Sequence, residues 1–79
     1  MNTDVHSVTL SVYREVLGRP EIAPDEDFFD LGGDSMQAIE AVSIIEEAVG
    51  EKIPVAWFFT YRTAAELADM ITGSVSQSR

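Results

Sequence analysis

Few side chains in this 79-residue sequence can do chemistry unaided. There is one histidine, His6, and no cysteine, which removes disulfides, thiolate metal sites and protein thiol chemistry together. Nucleophilic catalysis needs a base paired with its nucleophile. His6 lies far along the chain from any candidate serine, so it reads as an ordinary surface residue. Asp25, Asp27 and Asp30 suggest a calcium loop, but Phe29 stands at the third ligand position and no glycine follows it. What remains is Asp30-Leu31-Gly32-Gly33-Asp34-Ser35-Met36, a serine set by two glycines at the mouth of a helix. It lacks the second glycine of a hydrolase elbow, and no strand precedes it. Free N–H groups and the positive end of a helix dipole make this a favourable seat for an anion joined to the serine oxygen, such as a phosphate ester. On these residues alone, the alternative that Ser35 merely caps the helix stays equally open.

The elements that must present this serine follow from apolar period and chain breakers. Val5, Val8, Val12 and Val16 recur at helical spacing, with Leu10, Tyr13 and Leu17 on a neighbouring stripe; this predicts helix I, capped by Thr3 or Asp4 and stopped by Gly18. Residues 18–34 are rich in glycine and proline and hold no sustained period, which reads as a long ordered loop. Loops of that length in so compact a chain are usually functional. Phe28, Phe29 and Leu31 supply apolar area to anchor it. Asp34 with Gln37 is a variant capping signal for helix II, whose stripe is Ala38, Ala41, Val42, Ile45 and Val49, with Gly50 as its end. Pro54 suits the first position of a short helix III over 55–59. Thr63-Ala64-Ala65-Glu66 reads as a full capping box for helix IV, which carries Leu67, Ala68, Met70 and Ile71 to a stop at Gly73. The polar tail 74–79 reads as frayed. The expected fold is all-α: a small four-helix bundle, three longer helices and a short third, with a long loop between helices I and II. It is read as one domain over 1–79 with its folded core at about 4–73.

Composition narrows the function classes. Hydrophobic residues make up 46% and charged residues 24%, so the chain should fold rather than stay disordered. Fourteen acids against five bases give a formal charge of -9, which repels phosphate backbones and anionic lipid; nucleic acid and membranes are excluded as partners. The apolar stretch Ile53–Phe59 is too short to span a bilayer, and the start has no basic-then-apolar leader pattern. A soluble, cytoplasmic, monomeric protein is expected.

Asp27-Phe28-Phe29-Asp30-Leu31-Gly32-Gly33-Asp34-Ser35-Met36, followed by Ile53-Pro54-Val55 with Phe58-Phe59 and by Thr63 with Glu66-Leu67-Ala68, closely resembles the phosphopantetheine-dependent carrier-protein family. Nearly the whole chain is covered, and the doubled glycine beside Phe28-Phe29 looks most like a peptidyl carrier of nonribosomal peptide synthesis, with an acidity that suits a discrete form. The resemblance implies that Ser35 is no catalytic nucleophile but the attachment point of phosphopantetheine, with Gly33 and Asp34 beside it, transferred from coenzyme A by a phosphopantetheinyl transferase. It implies a non-enzymatic carrier of aminoacyl, peptidyl or acyl groups as thioesters, whose partners are an adenylating or acyl-loading enzyme and downstream condensing or tailoring enzymes. The missing cysteines agree, since the working thiol would belong to the cofactor. An acyl carrier for polyketide or fatty-acid units is the nearest alternative, and a small acidic helical adaptor without prosthetic group is the rival from another class.

Charge and spacing suggest where partners touch. Ten of the fourteen acids fall between Glu21 and Glu51, and residues 20–51 contain no lysine or arginine, so the face around Ser35 should steer basic docking patches. Met36, Ile39 and Ser43 follow Ser35 at helical spacing away from the Val42, Ile45 and Val49 stripe, and are expected to be exposed and partner-binding. Trp57 lies between the expected core positions Val55 and Phe58 and cannot share their face; exposed, it would join Met36 and Ile39 in an apolar docking spot. Thr60 and Arg62 stand where the family commonly has glutamate and proline. If they rotate helix III, Trp57 is buried instead.

Overall fold

Helix α1 (Val5–Leu17) begins because Asp4 accepts from the Ser7 backbone N–H at 3.4 Å and from the Ser7 hydroxyl at 2.8 Å. Those bonds hold the Asp4 carboxyl below the usual carboxylate range. Asp4 is thus the cap; Thr3 lies outside the residues that this computed structural model describes, which are 4–77. Three further helices follow, α2 (Ser35–Val49), α3 (Val55–Thr60) and α4 (Ala64–Gln77), with no strand among the described residues. Helix α1 packs against both α2 and α4, and α3 packs against α2. The fold is the all-α four-helix arrangement with a long first connection.

Two boundaries and one cap differ from the sequence reading. Pro54 caps α3 instead of opening it, since extended backbone at that residue suits its fixed φ equally well. Helix α4 runs through Gly73 to Gln77; a glycine inside a helix costs only about 1 kcal/mol and does not by itself stop one. The segment 74–77 is therefore helical rather than frayed, and 78–79 lie outside the described residues. At the start of α4, Thr63 Oγ1 accepts from the Glu66 N–H at 3.1 Å, but the returning half of the expected box is absent among the described residues.

The long loop is tied down at both ends of its course. Arg14 donates twice to the Ile22 carbonyl, at 3.2 and 2.9 Å, and Ile22 is itself fully buried. Further on, Asp27 pairs antiparallel with Thr63, the Phe28 N–H donates to Arg62 O at 2.9 Å, and the Ala65 N–H donates to Pro24 O at 3.0 Å. These bonds satisfy backbone groups that burial would otherwise penalise.

At the centre, Phe28 stands edge-on to Tyr13 with ring centroids 5.1 Å apart and to Phe58 at 4.8 Å. All three are fully buried among Val12, Ala41, Ile45, Leu67 and Ile71. The Tyr13 hydroxyl donates to Arg62 O at 3.1 Å. Burial first, then the negative charges of Asp27 and Glu66, push its phenol well above the ordinary value.

Candidate functional site

The serine's setting is built by Phe28. Gly32 turns the chain with φ +100, a conformation that residues with a Cβ rarely adopt. Gly33 then passes so close under Phe28 that a Cβ there would lie 2.5 Å from Cδ2, nearer still to Cε2, and 2.9 Å from the Phe28 carbonyl oxygen. Its glycine is demanded by the buried ring. Asp34 follows as the cap of α2: its carboxylate accepts from the Gln37 N–H at 2.8 Å, and the Gln37 side chain accepts from the Asp34 N–H at 3.2 Å. Gly33 and Asp34 place the helix start beside Ser35.

With Asp34 as cap, Ser35 is the first residue of α2 and is exposed. The reading of Ser35 as merely a cap fails, because Asp34 already takes that role. The Ser35 hydroxyl stands where the free N–H groups of the first turn favour an attached anion. Beside it runs a groove of about 270 Å³ lined by Phe29, Ser35, Phe59 and Arg62. Phe29 and Phe59 stack with centroids 5.4 Å apart and planes within 16°. The Arg62 guanidinium lies 5.2 Å from the Phe29 ring centre, and its Nε is 3.0 Å from Asp27 Oδ2. A phosphate ester on Ser35 would find space, helix N–H groups and one cation, so these residues fit that group.

Downstream on α2, Met36 is 76% and Ile39 51% exposed, and Ser43 is exposed as well. Trp57 is different. It is half-buried and packs against the core cluster, whereas Val55 and Phe59 are the exposed large apolar residues of α3. Val55, expected in the core, lies close to Phe59 around this helix, four residues before it, while Phe58 alone turns fully inward. Among the described residues the exposed large apolar side chains are thus Met36, Ile39, Val55 and Phe59, and Trp57 is only partly open to solvent.

The acidic face is also partly spent on the fold. Glu26 accepts from the Ala23 N–H at 2.8 Å, Asp27 from the Phe29 N–H at 2.8 Å, and Glu46 from the Ile53 N–H at 2.8 Å. Glu21, Asp25, Asp30, Glu40, Glu47 and Glu51 remain exposed. His6 lies on the surface, its Nε2 2.7 Å from Asp69 Oδ1 across α1 and α4. No helix among the described residues is long and apolar enough to cross a membrane. The aromatic and cationic side of the groove was not assembled from the sequence, because Phe29 lies in the long loop and Phe59 and Arg62 come from around α3; only folding joins them. The one available signal was Arg62 at a position where the resembling family commonly has proline.

A serine offered at a helix start, behind a loop locked by a buried phenylalanine, is the arrangement of a protein that carries a prosthetic arm. The phosphopantetheine attachment site family matches residues 8–71, and the chain belongs to it. Carriers of this family hold a group for other proteins and are not themselves catalysts. Among solved structures, the chain is similar to BlmI, a type-II acyl-carrier protein from Streptomyces verticillus involved in bleomycin biosynthesis, with a TM-score of 0.86, 30% identity, and 90% of this chain and 86% of that one covered. A nonribosomal PCP domain gives a TM-score of 0.75 at 35% identity, covering 87% of this chain and 88% of that one. Among curated relatives, a dimodular nonribosomal peptide synthase of Bacillus subtilis is 36% identical over 96% of this chain. The chain spans 3% of that relative's length and 1% of a probable non-canonical nonribosomal peptide synthetase of Salinispora arenicola, to which it is 35% identical over 87% of the chain.

Proposed function

We propose that this protein carries an aminoacyl, peptidyl or acyl group as a thioester on a phosphopantetheine arm joined to Ser35, and presents it to the enzymes of a nonribosomal peptide-type pathway. The observation that carries the reading is Ser35, exposed at the start of α2 and released from capping by Asp34. A phosphopantetheinyl transferase would install the arm from coenzyme A. The Ser35 Oγ–phosphorus bond forms, the bond from that phosphorus to the bridging pyrophosphate oxygen breaks, adenosine 3′,5′-bisphosphate leaves, and the serine proton passes to solvent. Bound, the arm supplies the thiol that the chain lacks, and tethering raises the local concentration of cargo at whichever enzyme has docked. An adenylating or acyl-loading enzyme and downstream condensing or tailoring enzymes are the remaining proposed partners. Met36, Ile39 and Ser43 are the proposed contact face, with the exposed acids steering basic patches towards it. A discrete, diffusing form is part of the proposal, and the likeness to a type-II carrier supports it.

Intact mass before and after incubation with coenzyme A and a transferase tests the attachment. The protein should gain one phosphopantetheine, and Ser35→Ala should gain none while staying folded, with a loss below about 1 kcal/mol because it is not the cap. A modified Ser35→Ala protein, or an unmodified native one, refutes the reading. The likeness to an acyl carrier also favours a second cargo class. Offering the phosphopantetheine-modified protein, its thiol free, to adenylating enzymes on one side and to acyl-loading enzymes on the other decides between them.

A further inference from the structure

We propose that the groove of Phe29, Phe59 and Arg62 seats the phosphate end of the arm, with Arg62 as its counter-ion and the two stacked rings as a shelf for the paired methyl groups next to the phosphate. The proposal rests on Ser35 as the attachment point and adds where the arm lies.

Charge makes the first argument. No lysine or arginine occurs in residues 20–51, so an anion on Ser35 would follow Asp34 in a stretch that also holds Asp27 and Asp30 and has no cation of its own. Arg62 is the cation that lines the same groove as Ser35. Its Nε is held by Asp27 at 3.0 Å, and its outer nitrogens make no hydrogen bond among the described residues. Its side chain is 45% exposed. The guanidinium can therefore keep its aspartate and still offer a donor pair to a phosphate oxygen, in the geometry that suits such anions.

Shape makes the second. Phe59 is 44% exposed, an unusual position for a ring in so small a protein. Stacked on Phe29, it presents an apolar surface directly beside the serine. An arm leaving Ser35 carries its charge first and its branched hydrocarbon next. The groove offers a cation and an apolar shelf together. With the arm lying towards α3, the Met36 and Ile39 face of α2 stays open to a partner.

The test uses the full chain, enzymatically modified with coenzyme A and checked by mass. Proton NMR should show cross-peaks between the arm's paired methyl groups and the rings of Phe29 and Phe59. Phe59→Ala, at an exposed position, should keep the fold and lose them. The phosphorus resonance should move between the native protein and Arg62→Gln, a readout that a purely structural role of Arg62 in holding Asp27 would leave in place. Arm signals with the shifts and linewidths of free pantetheine, or a phosphorus resonance identical in Arg62→Gln, overturn the seat while leaving the attachment intact. Absence of any mass gain overturns both.

Discussion

Replacing Gly33 by alanine puts the physical account of the site at risk. The added methyl would overlap the Phe28 ring and come within 2.9 Å of the Phe28 carbonyl oxygen. Neither neighbour can easily yield: the ring is fully buried and edge-packed on Tyr13 and Phe58, and the carbonyl accepts from the Gly33 N–H at 3.1 Å. Overpacking in a filled core costs about 1–3 kcal/mol, and backbone on one side places this site at the upper end. For a domain of this size each kcal/mol lowers the melting temperature by about 4–8 °C, so a fall of roughly 12–24 °C is expected. Circular dichroism melts measure it, and the rate of modification by a transferase should drop as the start of α2 is displaced. Phe28→Leu removes the obstructing ring atoms, so combining it with Gly33→Ala should cost less than the two single losses added, by about 1 kcal/mol or more. Gly32→Ala is the control, with nothing within 4 Å of its Cβ; it pays only for its positive φ, roughly 1–2 kcal/mol, with no coupling to Phe28. Gly33→Ala melting within about 3 °C of the native protein, or strict additivity with Phe28→Leu, would refute the packing argument.

Trp57→Ala should cost about 1–2 kcal/mol, between a surface change and the loss of a fully buried side chain, because Trp57 is half-buried against the core. Loss of partner loading without loss of stability would instead mark it as a docking anchor. Ile39→Lys should slow loading by the partner enzyme several-fold with the melting temperature nearly unchanged, since the residue is 51% exposed; a collapse in stability would contradict that exposure. Tyr13 gives a pH dependence with a definite sign. Its phenol is raised above its ordinary value of 10.0 by burial, so the unfolded chain releases that proton first. Its contribution to stability is complete below pH 10 and declines as pH rises above it, and denaturation at a series of alkaline pH values should show this slope reduced in Tyr13→Phe.

The helices, the loop and the serine were legible along the chain. Val5 to Leu17 and Ala38 to Val49 carry helical period that no other structure would bury, and Asp34 with Gln37 marks the start of α2 to the residue. Those signals are local: a cap, a stripe or a breaker acts within one or two turns, so a linear reading reaches it. Where it erred, local rules were evenly balanced, as with Pro54 on either side of a helix start or Gly73 inside a helix that packing continues. Tertiary structure decided the rest. Gly33 is needed because Phe28 folds back over it, which no spacing reveals. Val55 faces solvent and Trp57 is half-buried because a six-residue helix gives too little period to set its own rotation, leaving that to Phe58 among Tyr13 and Phe28. The groove of Phe29, Phe59 and Arg62 exists only once the pairing of Asp27 with Thr63 brings the loop to the end of α3, because contacts between distant segments depend on how the whole core closes.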